Sequence, residues 1–170
     1  MAENENDIEN GASYEVLPPD FFIQEKIGTS AQRLIGADQL KIAEKCMQAL
    51  KPTIINALNV MLHDISTLAR VRPRGVAPQI WRKAHEIRGM AGSANRKLLG
   101  RFGDLICNYL NDADENFRPN AALITDLSVA ANIAMSETAD NDTELATLFE
   151  ECRVAVEVQK TREGRGGEIL

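Results

Sequence analysis

The chain has 170 residues, of which 44% are hydrophobic and only 5% are aromatic, and it carries a net charge of −6. This length predicts one domain with flexible ends, and the low Pro and Gly content favours aliphatic helices over a turn-rich β fold. No run of 18 apolar residues occurs, so we expect no membrane span.

The N-terminal residues and the cysteines bear on the cellular compartment of the protein. The acidic, polar start is the opposite of a signal peptide, which predicts a cytoplasmic protein. Cys46, Cys107 and Cys152 are odd in number and far apart. We therefore expect reduced core cysteines rather than a disulfide framework or a zinc site.

The first third of the chain predicts a tail and then a long helix. Residues 1–18 are polar and acidic, which predicts a disordered tail, and the apolar run 21–23 is expected to attach an additional N-terminal helical segment to the body. Apolar residues then recur at steps of three and four over about 38–69, the pattern of one buried helix face. Pro52 lacks an amide hydrogen and is expected to kink or split this helix.

The remainder predicts four further helices separated by short connections. They are expected over about 77–98, 100–114 and 120–139, and from a cap at Asn141-Asp142-Thr143 onward. The Gly-rich end, residues 159–170, predicts a flexible tail. We therefore predict an all-α protein whose residues 19–158 form an up-and-down four-helix bundle.

One segment is strongly basic. Residues 70–101 contain nine basic residues against Glu86 alone, a net charge of +8, whereas the rest of the chain carries −14. A local field of this sign attracts acidic partners. We do not expect nucleic-acid binding, because the remainder is acidic and no aromatic platform is interleaved with the basic residues.

One face of the predicted helix over 77–98 carries residues that could take part in a reaction. This face contains, at steps of three and four, Trp81, His85, Arg88, Gly89 and Gly92. The apolar stripe lies opposite, so His85 is expected to point outward. An imidazole is partly neutral and nucleophilic near neutral pH, and a guanidinium one turn away can neutralise a phosphoryl group. Two glycines cost helix stability, which suggests that a bulky partner approaches there.

The segment resembles the histidine phosphotransfer (Hpt) domain family. That family's motif is a histidine, a variable residue, an apolar residue, a lysine, a glycine and then small residues, and residues 84–94 follow it. The flanking apolar pattern also fits, and the resemblance covers about 27–157. Two positions depart from the family. Arg88 replaces the lysine, which keeps the charge but alters the reach, and Asn95 stands where a second glycine is frequent.

The resemblance implies a division of labour. His85 would accept a phosphoryl group and pass it on, and Arg88 would stabilise it. A response-regulator receiver domain would supply the aspartate, the divalent metal and most catalytic groups, so this chain would be a phosphoryl carrier with no cofactor or metal of its own. A hybrid histidine kinase would be the other partner, and the chain is expected to be a monomer. The expected docking residues are Trp81, Arg82, Gly89, Gly92 and Arg96.

Other interpretations stay open at this point. The chain could be a helical adaptor that binds a receiver or kinase without phosphotransfer. Trp81 could be half-buried packing, and Gly92 could permit close helix packing. His63 has no neighbouring glycine or basic residue and is interpreted as structural or solvated. An enzyme with its own chemistry is disfavoured, because no catalytic triad, metal cluster or phosphate loop is recognisable.

Overall fold

The computed structural model describes residues 36–111, 113 and 116–165, and within those ranges the protein is all-helical, with five α-helices and no strand. The predicted tail over 1–18, the apolar run 21–23 and residues 166–170 lie outside these ranges. The helices are α1 Ala37–Val71, α2 Val76–Ala91, α3 Lys97–Leu110, α4 Ala121–Ile133 and α5 Thr143–Arg162. Short 3₁₀ turns occupy Gly92–Ala94 and Ala139–Asn141.

Residue contacts divide the chain into two units, residues 1–43 and 44–170. In the first unit the structure describes only the start of α1, where the Gln39 amide donates to the Gly36 carbonyl at 3.0 Å. None of the described helices combines the length and hydropathy that a membrane crossing requires.

All five helices contribute to one buried aliphatic cluster. Residues with no exposed surface come from α1 to α5 in turn: Leu58, Ile65, Ile80, Ile87, Phe102, Ile106, Ile124, Leu127 and Val156. The predicted stripe of α1 is only partly correct, because Met47 and Leu50 are exposed, whereas Leu58 and Ile65 have no exposed surface. α1 also continues through Pro52 without being split.

The prediction of one helix over 77–98 is wrong beyond Ala91. α2 ends at Ala91, a 3₁₀ turn follows, and Asn95 takes φ 56° and ψ 49°, the left-handed region. Its amide donates to the Gly92 carbonyl at 3.1 Å. Asn tolerates this region better than most residues, so Asn95 can stand where the resembled family often has glycine. The chain reverses here and α3 begins three residues earlier than predicted.

Side-chain caps account for the starts of the later helices. Asn120 accepts hydrogen bonds from the amides of Ala122 and Leu123, and Asp142 accepts from Glu144 and Leu145. The predicted cap at Asn141-Asp142-Thr143 is therefore confirmed at Asp142. α3 lacks a cap from its own N-terminal residue, and Asp140 supplies one instead.

The carboxylate of Asp140 accepts from the amides of Lys97 at 3.0 Å and Leu98 at 2.7 Å. The connection before α5 therefore satisfies two backbone donors at the start of α3 that would otherwise lack partners. A carboxylate at this position also interacts favourably with the helix dipole.

The end of α5 lies where a flexible tail was expected. Residues 159–162 are helical, and Arg165 beyond them stacks over the rings of Phe117 and Tyr109 at 4.0 and 5.1 Å. Arg165 also donates to Glu163, whose carboxylate accepts a hydrogen bond from the Tyr109 hydroxyl at 2.7 Å. Burial is the largest cause that raises the pKa of Tyr109, to about 12.

The conformation at Asn95 predicts a clear difference between two substitutions. Asn95→Val should lower the free energy of unfolding by about 1–2 kcal/mol, because a β-branched residue is strained at positive φ. Asn95→Gly should have a free energy of unfolding equal to or above that of the parent, because glycine adopts this region freely. Urea denaturation followed by circular dichroism measures both. Equal stabilities for the Val and Gly variants would contradict the assigned backbone.

Candidate functional site

The outward face of α2 carries the predicted site residues. His85, Arg88 and Gly89 are exposed, and Ala84 and Ile87 between them have no exposed surface. The buried residues hold the helix against the core, so the opposite face of α2 is exposed to solvent. His85 therefore lies opposite the core stripe, at the middle of a regular helix.

The imidazole of His85 is held by two neighbours one turn away on either side. The Trp81 ring stacks on it, with centroids 4.9 Å apart and planes inclined by 18°. From the other side, Arg88 Nη2 lies 3.0 Å from His85 Nδ1. Trp81 is 37% exposed, so it packs against the imidazole and still offers part of its surface to solvent.

Arg88 is also bound to a residue that sequence analysis missed. Its Nη1 donates to Asp104 Oδ1 at 2.8 Å, an ion pair between α2 and α3. The hydrogen bond with Asp104 is the main reason that the pKa of Arg88 is raised above its ordinary value. Asp104 is 16 residues from Arg88, and only the register of the two helices brings them together.

The two glycines predicted to mark a notch both face open space. A Cβ added at Gly89 or at Gly92 would meet no atom within 4 Å. This openness disfavours the interpretation of Gly92 as a close helix-packing position. Gly92 is also the C-terminal cap of α2 rather than an interior residue. Of these two glycines, only Gly89 therefore carries the cost of an interior helical glycine, and it lies one turn from His85.

A different glycine makes the close helix contact. A Cβ at Gly103 would lie 2.9 Å from the Ala84 carbonyl oxygen and 3.0 Å from the Arg88 amide nitrogen. No side chain fits there without movement of the backbone. α3 thus approaches α2 directly behind the turn that carries His85, and the next residue of α3 is Asp104. The spacing of Gly100 and Gly103, three residues apart on one helix face, was the available sequence signal.

Cys107 completes this contact one turn further along α3. It is buried, and its thiol donates to the Trp81 carbonyl at 3.7 Å. Burial is the largest cause that raises its pKa, to about 11, so this thiol is almost entirely protonated near neutral pH. Cys152 is half-buried, and its pKa is also raised by burial. Cys46 is exposed, so the prediction that all three cysteines lie in the core is wrong for it.

Ion pairs offset half of the charge in the basic segment 70–101. Four of its cations pair with acids outside it, which lowers the local net charge from +8 to +4. The pairs are Lys83–Asp64, Arg88–Asp104, Arg96–Glu137 and Arg101–Glu150. Arg82 is exposed and forms no ion pair with the described part of the chain.

The prediction that Arg96 lies on an exposed docking surface is wrong. Arg96 is only 4% exposed and donates to the Met135 carbonyl at 2.7 Å and to Glu137 at 3.1 Å. The hydrogen bonds from Arg96 and Lys51 lower the pKa of Glu137 below its ordinary value. Arg96 therefore anchors the turn after α2 to the loop that follows α4, with its charge satisfied internally.

The second histidine has a different setting. His63 is exposed on α1 beside a surface groove of about 360 Å³ that Asn59 and Asn132 also line. Across the ranges that the structure describes, His63 makes no hydrogen bond or ring contact. The paired cation, the stacked ring and the adjacent glycine are properties of His85 alone of the two.

Comparison with known proteins finds no family model, no curated protein and no solved structure that matches this chain. The site is therefore interpreted from its own geometry. Within the residues described, no three His, Cys, Asp or Glu side chains form a group that could hold a metal ion. The chemistry that the arrangement can perform is nucleophilic attack by an exposed imidazole, beside one guanidinium that can contact an anion.

The glycine contacts predict opposite effects of one added methyl group. Gly103→Ala should lower the free energy of unfolding by about 1–3 kcal/mol, because the added carbon overlaps the α2 backbone. The matched change Gly89→Ala should raise it by up to about 1 kcal/mol, because alanine favours the helix and the site is open. Thermal and urea unfolding measure both, and a shift of the same sign and size in the two variants would refute the packing described.

Proposed function

We propose that this chain is a histidine phosphotransfer protein, in which His85 accepts a phosphoryl group from one receiver aspartate and donates it to another. The observation that carries the proposal is the exposed imidazole of His85, stacked on Trp81 and contacted at Nδ1 by Arg88 at 3.0 Å. The site around His85 combines a nucleophile, the cation of Arg88 and open space at Gly89 within two helical turns. These are the elements that a phosphoryl acceptor requires.

The proposed step is a direct transfer between two side chains. A lone pair on an imidazole nitrogen of His85 forms the P–N bond, and the P–O bond to the receiver aspartate breaks with its electron pair returning to that carboxylate. The reverse sequence of bonds donates the group to a second receiver. Arg88 lies close enough to the ring to neutralise part of the phosphoryl charge. The chain is then a carrier, and the receiver supplies the catalytic groups and a divalent metal.

The proposed partners are response-regulator receiver domains and a hybrid histidine kinase. The open surface at Gly89 and Gly92 gives an approaching loop room beside His85. Trp81 and Arg82 are exposed next to it and would contact the partner. The remaining local charge of +4 favours an acidic receiver pocket and should make association sensitive to salt. Because Arg96 is buried, the proposed docking surface consists of Trp81, Arg82, Gly89 and Gly92.

We further propose the arrangement and compartment in which this site works. The shared buried cluster and the short connections between α2, α3, α4 and α5 favour an up-and-down four-helix bundle. A cytoplasmic location is the corresponding expectation, since receiver domains and kinase transmitter domains act in the cytoplasm, and the monomeric state stays a prediction. The absence of a cofactor or metal in this chain stays a prediction.

The proposal predicts that the phosphoryl label depends on one of the two histidines. The full chain is incubated with receiver domains charged with radiolabelled phosphate, and transfer is followed on gels. The parent and His63→Gln should take up acid-labile label equally, and His85→Gln should take up none, because its amide cannot form the P–N bond. Binding of the receiver to His85→Gln should persist.

The same experiment separates phosphotransfer from the adaptor alternative. A helical adaptor would bind the receiver with unchanged affinity and remain unlabelled in every variant, the parent included. Label that survives in His85→Gln would place the acceptor elsewhere. Either result would reject His85 as the phosphoryl carrier.

A further inference from the structure

Arg88 divides its guanidinium between two neighbours. Nη2 lies 3.0 Å from His85 Nδ1, and Nη1 lies 2.8 Å from Asp104 Oδ1. A guanidinium has five N–H donors and no acceptor, so the nitrogen that it contacts must supply a lone pair. His85 Nδ1 is therefore the acceptor in this arrangement.

This contact determines where the neutral ring carries its proton. With Nδ1 accepting from Arg88, the proton of a neutral imidazole is on Nε2. The lone pair on Nδ1 is then covered by Arg88, and the other nitrogen has no free lone pair. Neither nitrogen of His85 is an open nucleophile while Arg88 stays in place.

We propose that Arg88 controls the proton on His85 Nδ1, and that Asp104 is the positioning residue that holds Arg88 against that nitrogen. The consequences for phosphotransfer rest on the function proposed above, but the control of the imidazole does not. Asp104 is well placed for this role because it forms one ion pair in the described part of the chain, the one with Arg88. Gly103 brings it there by letting α3 approach α2.

The proposal orders the events of transfer. Before attack, Arg88 leaves Nδ1 and the ring proton exchanges through solvent from Nε2 to Nδ1. The Nε2 lone pair then forms the P–N bond as the P–O bond to the receiver aspartate breaks and its electron pair returns to the carboxylate. Afterwards the Nδ1 proton is lost to solvent, and Arg88 donates to Nδ1 again.

The returned contact protects the phosphorylated state. A P–N bond to imidazole breaks readily when the opposite ring nitrogen is protonated, because the departing ring is then neutral. Arg88 on Nδ1 opposes that protonation by occupying the lone pair. The same residue therefore suppresses reaction of the free histidine and lengthens the lifetime of the phosphohistidine.

The test measures imidazole reactivity without any partner. Diethyl pyrocarbonate acylates a ring nitrogen that has a free lone pair, and mass spectrometry of peptides from the full chain reports His85 and His63 separately. The exposed His63 serves as the internal reference. Arg88→Met should raise the modification rate of His85 relative to His63 by about three- to tenfold, as loss of an exposed charge-assisted hydrogen bond allows.

Asp104 is tested by a neutral and a conservative variant. Asp104→Asn removes the ion pair with little change in size and should raise the His85 rate in the same direction, by a smaller factor. Asp104→Glu keeps the charge and should restore the parent rate. All three substitutions are at exposed positions, and circular dichroism confirms that each variant is folded.

The outcomes separate this proposal from the proposed function. An unchanged ratio of His85 to His63 modification in Arg88→Met, or in Asp104→Asn, overturns the control of Nδ1. If that ratio rises as expected and no variant accepts phosphate from a receiver, the proton control stands and the phosphotransfer function fails. Where label is accepted, a shorter phosphohistidine half-life in Arg88→Met supports the proposal, and a half-life equal to that of the parent overturns the protective role.

Discussion

The close approach of α3 to α2 at Gly103 is the contact on which the site depends. A Cβ there would lie 2.9 Å from the Ala84 carbonyl oxygen, so the two backbones meet without a side chain between them. This contact lies behind His85 and brings Asp104 level with Arg88. The outward face of α2 is thereby fixed in position by packing on its inward face. In the proposed control of the imidazole, that packing acts on His85 through Arg88.

Much of the positive charge that is concentrated in the sequence is neutralised by ion pairs in the folded protein. The basic stretch 70–101 is conspicuous in the sequence, yet four of its cations are bound to acids contributed by α1, α3, α5 and the loop after α4. Arg96 is the extreme case, because its buried guanidinium anchors a turn. Exposed pairs add little stability individually. Their larger effect is to define which cations remain available to a partner, and Arg82 beside His85 is one of them.

Local sequence patterns predicted the helical class, the core stripe of α2 and the cap at Asp142, because each is set within one or two turns of the chain. They failed where the structure depends on contacts between distant residues or on the backbone conformation of a single residue. The reversal at Asn95 interrupts an apolar stripe whose residues are all buried, so periodicity alone could not reveal it. Gly103 and Asp104 acquire their roles from the register of α3 on α2, and the burial of Arg96 depends on acceptors about 40 residues away. Local spacing offers a signal only for Gly103, through its three-residue separation from Gly100, and none for the partners of Asp104 and Arg96.

The most direct test of the account is the chemical identity of the phosphorylated product. Phosphorus NMR spectroscopy of the full chain, after phosphorylation by a charged receiver domain, distinguishes the two phosphohistidine isomers from each other and from an acyl phosphate. One phosphohistidine signal is expected, on Nε2 of His85, because the proposed transfer has the proton on Nδ1 and the attacking lone pair on Nε2, and Arg88 returns to Nδ1 afterwards. A signal from the Nδ1 isomer, or from an acyl phosphate alone, would contradict it.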